Sequence, residues 1–396
     1  MKLVRFIVPQ LNTVSFSVVF AMGTIHEPKE VQGITHLVEH LIFRETKEFS
    51  QQEIYEFFES RGVDIKATVG FNFTEISFVC RKEIFLEIIS MLYKILIYTD
   101  YSPESIDAEK KVISKENDLY PKSNLEIVTQ NRLRYILENS AFETLTVKDI
   151  KEYKEKLLKA NTLCAVCGGA SDEMCNQVEM IFEGFGKESV PFPQDIKPFS
   201  GATLVKDKFS MVDLHFSFFA SIKQEDLVKS VAIRLLDDIL FKGKTSVVGK
   251  VLRENQGLVY QVDSLCLQIP RGISLGFSLS VSKNELFSVI EHLRNILDIE
   301  IERKHLDMAK AFYCDNLPIL QESPTLVCDC IVETFVSFNN PLTPSQYAEV
   351  VNSVSVDLCN QLWKNLKKSL ELYVFGKVKS KEIKQIANIL MIHNAY

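Results

Sequence analysis

The chain has 396 residues, 46% hydrophobic and 24% charged, with a formal net charge of −7. That length predicts two or more domains with ample buried core, and the acidic balance argues against a nucleic-acid partner, which calls for a basic face. No run of 18 apolar residues occurs, so no membrane-inserted helix is expected.

At the N-terminus, Arg5, Pro9 and Gln10 interrupt any apolar run, and the segment reads without a signal peptide. The nine cysteines are an odd number without paired spacing and read as reduced thiols of a cytoplasmic protein. Alternation and apolar runs predict strands at 3–9 and 14–22, split by Gln10-Leu11-Asn12. A loop holding Pro28 leads to a helix from about Gly33 to Arg44, and Ser50 starts a second one over 50–60. Strands at 63–69 and 73–80 come next, with Gly70 and Asn72 at the bend. Residues 82–98 predict a strongly apolar helix. Ser102-Pro103-Glu104 carries start signals for another that ends before Pro121. Helices at 122–139 and 146–159, a strand at 162–168 and a helix at 171–184 complete the first half. Cys164 and Cys167 form a Cys-x-x-Cys, but three apart in a strand they face opposite sides.

Pro191, Pro193 and Pro198 fall in a window without periodicity, read as a linker over 186–199. The order then repeats, with strands at 201–207 and 212–220, helices at 224–241 and 245–255, and strands at 258–267 and 273–281. Helices at 282–299, 301–320, 324–338 and 353–367, a strand at 370–376 and a helix at 380–391 follow. This predicts an α+β fold of two related domains, 1–185 and 200–396, without a residue-level repeat.

The chemistry gathers on His36-Leu37-Val38-Glu39-His40. On a helix, His36 and His40 are four apart and share a face, so both imidazoles can meet one ion. Glu39 lies close to that face, placed to accept a proton from a bound water without being a ligand. The order His-x-x-Glu-His is the inverzincin signature. A catalytic zinc wants three protein ligands and one open position. Candidates for the third are Glu109 and Glu116, two turns apart on one predicted helix face. One can bind the ion while the other orients a ligand imidazole.

With the flanks Gly33-Ile34-Thr35 and Leu41-Ile42-Phe43, these residues resemble the family of zinc proteases that includes pitrilysin, insulin-degrading enzyme and mitochondrial processing peptidase. The resemblance implies Glu116 as third ligand, Glu109 as its partner outside the ligand set, Glu39 as general base and one zinc per chain. It also covers Leu252-Arg253-Glu254-Asn255-Gln256-Gly257-Leu258-Val259-Tyr260. There it implies that Arg253 and Tyr260 hold the substrate backbone and steady the oxyanion. Read without the resemblance, Arg253 is a solvated cation near a helix C-terminus. Substrate would lie extended along Ala67, Thr68, Val69 and Gly70, with Lys66 standing where the family often has Asn. The chain departs from the family at Phe43-Arg44-Glu45-Thr46, usually Phe-Lys-Gly-Thr, and at Cys167-Gly168-Gly169, where the family tends to Gly-Asp.

The resemblance further implies domains built of an antiparallel-rich sheet covered by helices on one face. The chain is then half of a clamshell that dimerisation completes, as a homodimer or with a related subunit. The expected function is a zinc endopeptidase acting on peptides or unfolded segments. Maturation of a ribosomally made, bacteriocin-like peptide from its leader and oligopeptide clearance are candidate roles. A non-catalytic partner subunit is the alternative. A structural zinc protein would need a fourth protein ligand near His36, for which the sequence offers no candidate.

Overall fold

A computed structural model describes residues 1–98, 101–119, 128, 144–186, 188–190, 201–205, 211–269 and 272–392. The helix expected at 122–139, except for Val128, and most of the linker expected at 186–199 lie outside these residues. Contacts divide the chain into two units.

The elements of the first half are β1 (Lys2–Ile7), β2 (Thr13–Phe20), α1 (Ile34–Leu41), α2 (Gln51–Glu59), β3 (Lys66–Val69), β4 (Thr74–Arg81), α3 (Phe85–Ile97), α4 (Pro103–Leu119), α5 (Val147–Lys159), β5 (Thr162–Gly168) and α6 (Asp172–Ile181). Those of the second half are β6 (Gly201–Val205), β7 (Met211–Ala220), α7 (Leu227–Leu240), a π-helix (Gly249–Asn255), β8 (Val262–Ile269), β9 (Gly272–Ser282), α8 (Leu286–Leu297), α9 (Arg303–Asp315), α10 (Leu317–Glu322), α11 (Pro324–Phe338), α12 (Pro344–Ser353), α13 (Val356–Leu366), β10 (Glu371–Phe375) and α14 (Ser380–Ile389).

In the first unit the sheet order is β1-β5-β2-β4-β3. β1 runs parallel to β5, and the other pairs are antiparallel. Strand alternation sends Phe16, Val18, Phe20, Cys164 and Val166 to one face, where they join Leu37 and Leu41 of α1, Phe58 of α2 and Ile89 and Leu92 of α3 in one core. Phe16 and Phe78 stand opposite each other in register, ring centroids 5.3 Å apart. The opposite face carries Val19, Leu163, Ala165 and Cys167, buried under Val327, Cys328, Ile331 and Phe335 of α11. Helices thus cover both faces of this sheet rather than the one expected, which is why β5 reads as an unbroken apolar run. Cys164 and Cys167 belong to opposite cores, as alternation predicts. The cover on the second face comes from late in the chain, because residues 318–344 group with the first unit.

In the second unit the order is β6-β10-β7-β9-β8, with β6 parallel to β10 and the remaining pairs antiparallel. Phe216 and Phe277 face each other in register at 4.6 Å and stack. Phe218, Phe241 and Trp363 of α13 complete an aromatic centre on that face.

Two differences from the sequence expectation have physical causes. The helix expected over 301–320 is two, α9 and α10, because Pro318 cannot continue α9's hydrogen-bond ladder and instead sits in the first turn of α10. Helix α12 was not anticipated. Its ten residues PSQYAEVVNS are polar, with few apolar positions to mark a period.

Candidate metal centre

Helix α1 places Leu37, Val38 and Leu41 in the core and leaves His36 and His40 on its partly exposed face. Gly33, before its first residue, adopts φ +89, a left-handed conformation that suits glycine. No side chain at that position caps the helix. The buried Glu27 does so from six residues upstream, its carboxylate accepting the N–H of Gly33 and of Thr35, each at 2.8 Å. A carboxylate there also complements the helix dipole. Thr35 Oγ1 shares a hydrogen bond of 2.5 Å with Tyr153 OH from α5.

Helix α4 brings the distant carboxylates. Glu116 Oε2 lies 3.6 Å from His36 Nε2 and 3.4 Å from His40 Nε2, and the two imidazole nitrogens are 3.1 Å apart. Among the described residues this trio is the one cluster suited to hold a metal ion. The triangle fits the expected group. A tetrahedral zinc with bonds of about 2.0–2.1 Å needs ligand atoms about 3.3 Å apart, and two imidazoles with one carboxylate are ligands zinc accepts. Glu109, buried, accepts a hydrogen bond from His40 Nδ1 at 3.1 Å, which leaves Nε2 facing the triangle. Its other oxygen accepts one from Arg44 Nη1 at 2.9 Å.

Glu39 Oε2 approaches His40 Nε2 to 3.8 Å, beside the triangle rather than in it. Its carboxyl is raised above the ordinary range. Burial is the main cause; the charge of His40 opposes it, while Glu116 and Glu109 add to it. The proton affinity of His36 is lowered, first by burial and then by His40, with Glu116 opposing.

β3 is an edge strand, hydrogen-bonded to β4 alone among the described strands, and it packs beside α1. Ala67, Thr68 and Val69 lie within it. Gly70 lies just past its end, and both its backbone groups are engaged: its N–H donates to Phe73 O, and its carbonyl accepts from Thr24.

In the second unit, the π-helix carries Arg253, and Gly257 at φ +63 turns the chain out of it. The Leu258 N–H closes back onto Leu252 O at 2.8 Å. This turn sets the Arg253 guanidinium 5.6 Å from the Tyr260 ring centroid, and Tyr260 is 83% exposed. π-Helical turns are rare and concentrate at functional sites.

Two contributors escaped the sequence reading. Arg44 was visible in principle, four residues past His40 in the direction of Glu109. Glu27 gave no local signal, since its role depends on how the loop folds back.

The description "Insulinase (Peptidase family M16)" matches residues 8–149, and "Peptidase M16 inactive domain" matches residues 144–312. An uncharacterized zinc protease of Rickettsia bellii is 21% identical over 372 residues, 89% of this chain and 90% of the relative. A protease structure from Helicobacter pylori superposes with a TM-score of 0.81 at 16% identity, covering 94% of this chain and 96% of that one. The periplasmic protease PqqL from Escherichia coli aligns with a TM-score of 0.71 at 13% identity, over 92% of this chain and 43% of PqqL. Among the described residues no helix is long and apolar enough to cross a membrane. With two imidazoles and a carboxylate converging from α1 and α4 and two sheets of one design, the chain belongs to peptidase family M16, the insulinase family.

Proposed function

We propose that the chain is a zinc-dependent endopeptidase cleaving peptides or unfolded segments, in leader removal from a ribosomally made peptide or in oligopeptide clearance. One observation carries the reading: His36, His40 and Glu116 present three donor atoms 3.1–3.6 Å apart, with Glu39 beside them. One zinc per chain, held by these three, would supply a Lewis acid and a water of lowered pKa. Glu39 accepts the proton as general base and returns it to the leaving amine. Burial serves that role, because a carboxylate of raised proton affinity is a better base near neutrality. Glu109 keeps His40 in the tautomer whose Nε2 is free.

The substrate backbone pairs with the edge of β3 at Ala67, Thr68 and Val69. Arg253 and Tyr260 serve as donors to the developing oxyanion. A homodimer, or a pair with a related subunit, completes the chamber. The cytoplasmic setting rests on the cysteine usage.

The test is metal analysis of the purified protein together with cleavage of a quenched-fluorescent peptide, before and after chelation and zinc restoration. The expected result is one zinc per chain and cleavage that a chelator abolishes and zinc restores. A dimeric protein that holds no zinc and cuts nothing would instead be a non-catalytic subunit.

A further inference from the structure

The residues after α1 depart from the family pattern at Arg44-Glu45, where Lys-Gly is usual. Both side chains reach α4. Arg44 Nη1 donates to Glu109 Oε1 at 2.9 Å. Glu45 Oε1 accepts the backbone N–H of Ser102 at 2.8 Å, at the entrance to the same helix. Ser102 is itself the N-cap, its Oγ accepting the Ser105 N–H at 3.1 Å and donating to Ser105 Oγ at 2.9 Å. The Glu45 carboxyl is held below its ordinary range. Burial opposes ionisation there, and the Ser102 N–H, the Ser105 hydroxyl and the charge of Arg44 outweigh it.

Charge and place agree at both points. A carboxylate meets the positive end of the α4 dipole, and a guanidinium meets the buried Glu109. Ser102 and Glu109 are two helical turns apart, so the contacts grip α4 at its start and at mid-length. Glu116 lies two turns further on.

We propose that Arg44 and Glu45 form a two-point strap that sets the tilt of α4 and thereby places Glu116 against the imidazole pair. Glu45 is a positioning residue that acts through Glu116. The lever arithmetic shows why a second point matters. Glu116 is about 10 Å along the axis from Glu109 at 1.5 Å per residue, so a tilt of about 5° about Glu109 moves it by about 0.9 Å. Metal–ligand distances tolerate about 0.2 Å. A glycine at position 45 offers no side chain and leaves one of the two points. With Glu27 on α1, both ligand-bearing helices then begin on a carboxylate supplied from outside the helix.

The proposal rests on the metal site of the proposed function but not on catalysis. Its test is apparent zinc affinity of the full chain, by competition with a chromophoric chelator, for wild type, Glu45→Gly and Glu45→Ala, each with and without Glu116→Gln. Glu45→Gly and Glu45→Ala should each weaken zinc binding about tenfold, as loss of an outer partner does. In the Glu116→Gln background the effect should vanish, since the lever then carries no ligand. Unchanged affinity overturns the strap. So does a loss that persists without Glu116, or a loss that Ala repairs, which would assign the effect to backbone freedom. Peptide cleavage read on the same samples separates the two ideas. A chain that shows this pattern but cleaves nothing keeps the strap and loses the peptidase; one that binds no zinc loses both.

Discussion

The two sheets follow one plan. Each begins with a parallel pair, continues antiparallel in the same strand order, and carries a cross-strand phenylalanine pair at its centre, Phe16–Phe78 and Phe216–Phe277. They differ in the helix that follows the second strand. α1 has eight residues and bears His36, Glu39 and His40; α7 has fourteen, nine of them buried. On α1 the ionisable groups meet partners from α4, in the chain Arg44–Glu109–His40. On α7 the carboxylate of the buried Asp237 receives one hydrogen bond, from Ser264 at 3.3 Å, and its Oδ1 has no partner among the described residues. A sheet and its apolar face can be copied within a chain. A buried ionic cluster persists only where a second element answers it, because an unpaired buried charge is costly.

The largest expected effect tests whether the proton transfer belongs to one unit alone. Glu39→Gln should lower kcat/KM on a quenched peptide by about 10³-fold, within the range for removal of a general base, while zinc content stays at the wild-type level. The counterpart in the other unit, Asp237→Asn, should leave kcat/KM within about threefold. Wild-type turnover in Glu39→Gln would move the base elsewhere, and a large loss in Asp237→Asn would mean that the second unit shares in the proton transfer.

The next effect tests the likeness. Phe16→Ala and Phe216→Ala each remove a buried ring from a central strand, and each should cost about 3–5 kcal/mol. Urea unfolding of both variants measures it. Costs that differ by more than about 2 kcal/mol would show that the shared strand order does not mean shared core energetics.

Much of this was legible in the sequence because the signals are local. The strand at 162–168 is found at those bounds, and Ser50 caps α2 through a mutual bond with Glu53. The spacing of His36 and His40 survives because four residues of helix fix it. Glu109 and Glu116 were legible as one face, and the structure gives each a different partner: Glu109 faces Nδ1 of His40, Glu116 faces the two Nε2 atoms. What escaped depends on tertiary contact. α11 reads as an ordinary apolar helix of the second half, and nothing in Val327, Cys328 or Ile331 says that they pack on Val19 and Cys167. Glu27 and Glu45 read as loop acids, since the amides they bind are brought to them only by the fold.

Asp237 gives a pH test of the contrast. Its carboxyl is pushed up to about 7, by burial first and then by Asp238, against Lys242, Ser264 and Arg234. An acid whose folded pKa exceeds its unfolded value of 3.8 binds more protons folded than unfolded between the two. Its contribution is therefore fully present below about pH 4 and lost as pH rises to about 7, by at most about 4 kcal/mol for a shift of this size. In urea titrations the stability of wild type should fall over that window relative to that of Asp237→Asn. An equal slope in both would mean that the fold relaxes around the charge and that the second unit tolerates it as well as the first.

The smallest effect concerns the helices that follow the last strand of each sheet. α6 begins at Ser171, whose hydroxyl accepts the Met174 N–H at 3.2 Å. α14 begins at Lys379, which offers no acceptor. Only the reverse half of the box is made there, its N–H donating to Glu382 Oε2 at 2.7 Å, while Lys283 holds the same oxygen. Ser171→Ala should cost about 1 kcal/mol, and Lys379→Ser should gain about 0.5–1 kcal/mol by completing the box. Because Glu382 is already fixed by Lys283, the new hydroxyl need not reorganise the carboxylate; it competes for the Glu382 N–H, which now donates to Lys379 O at 2.8 Å. A thermal unfolding midpoint that rises in Lys379→Ser and falls in Ser171→Ala would bring the two ends to a common capping chemistry. No rise in the first would mean that the Lys283–Glu382 pair already does for α14 what Ser171 does for α6.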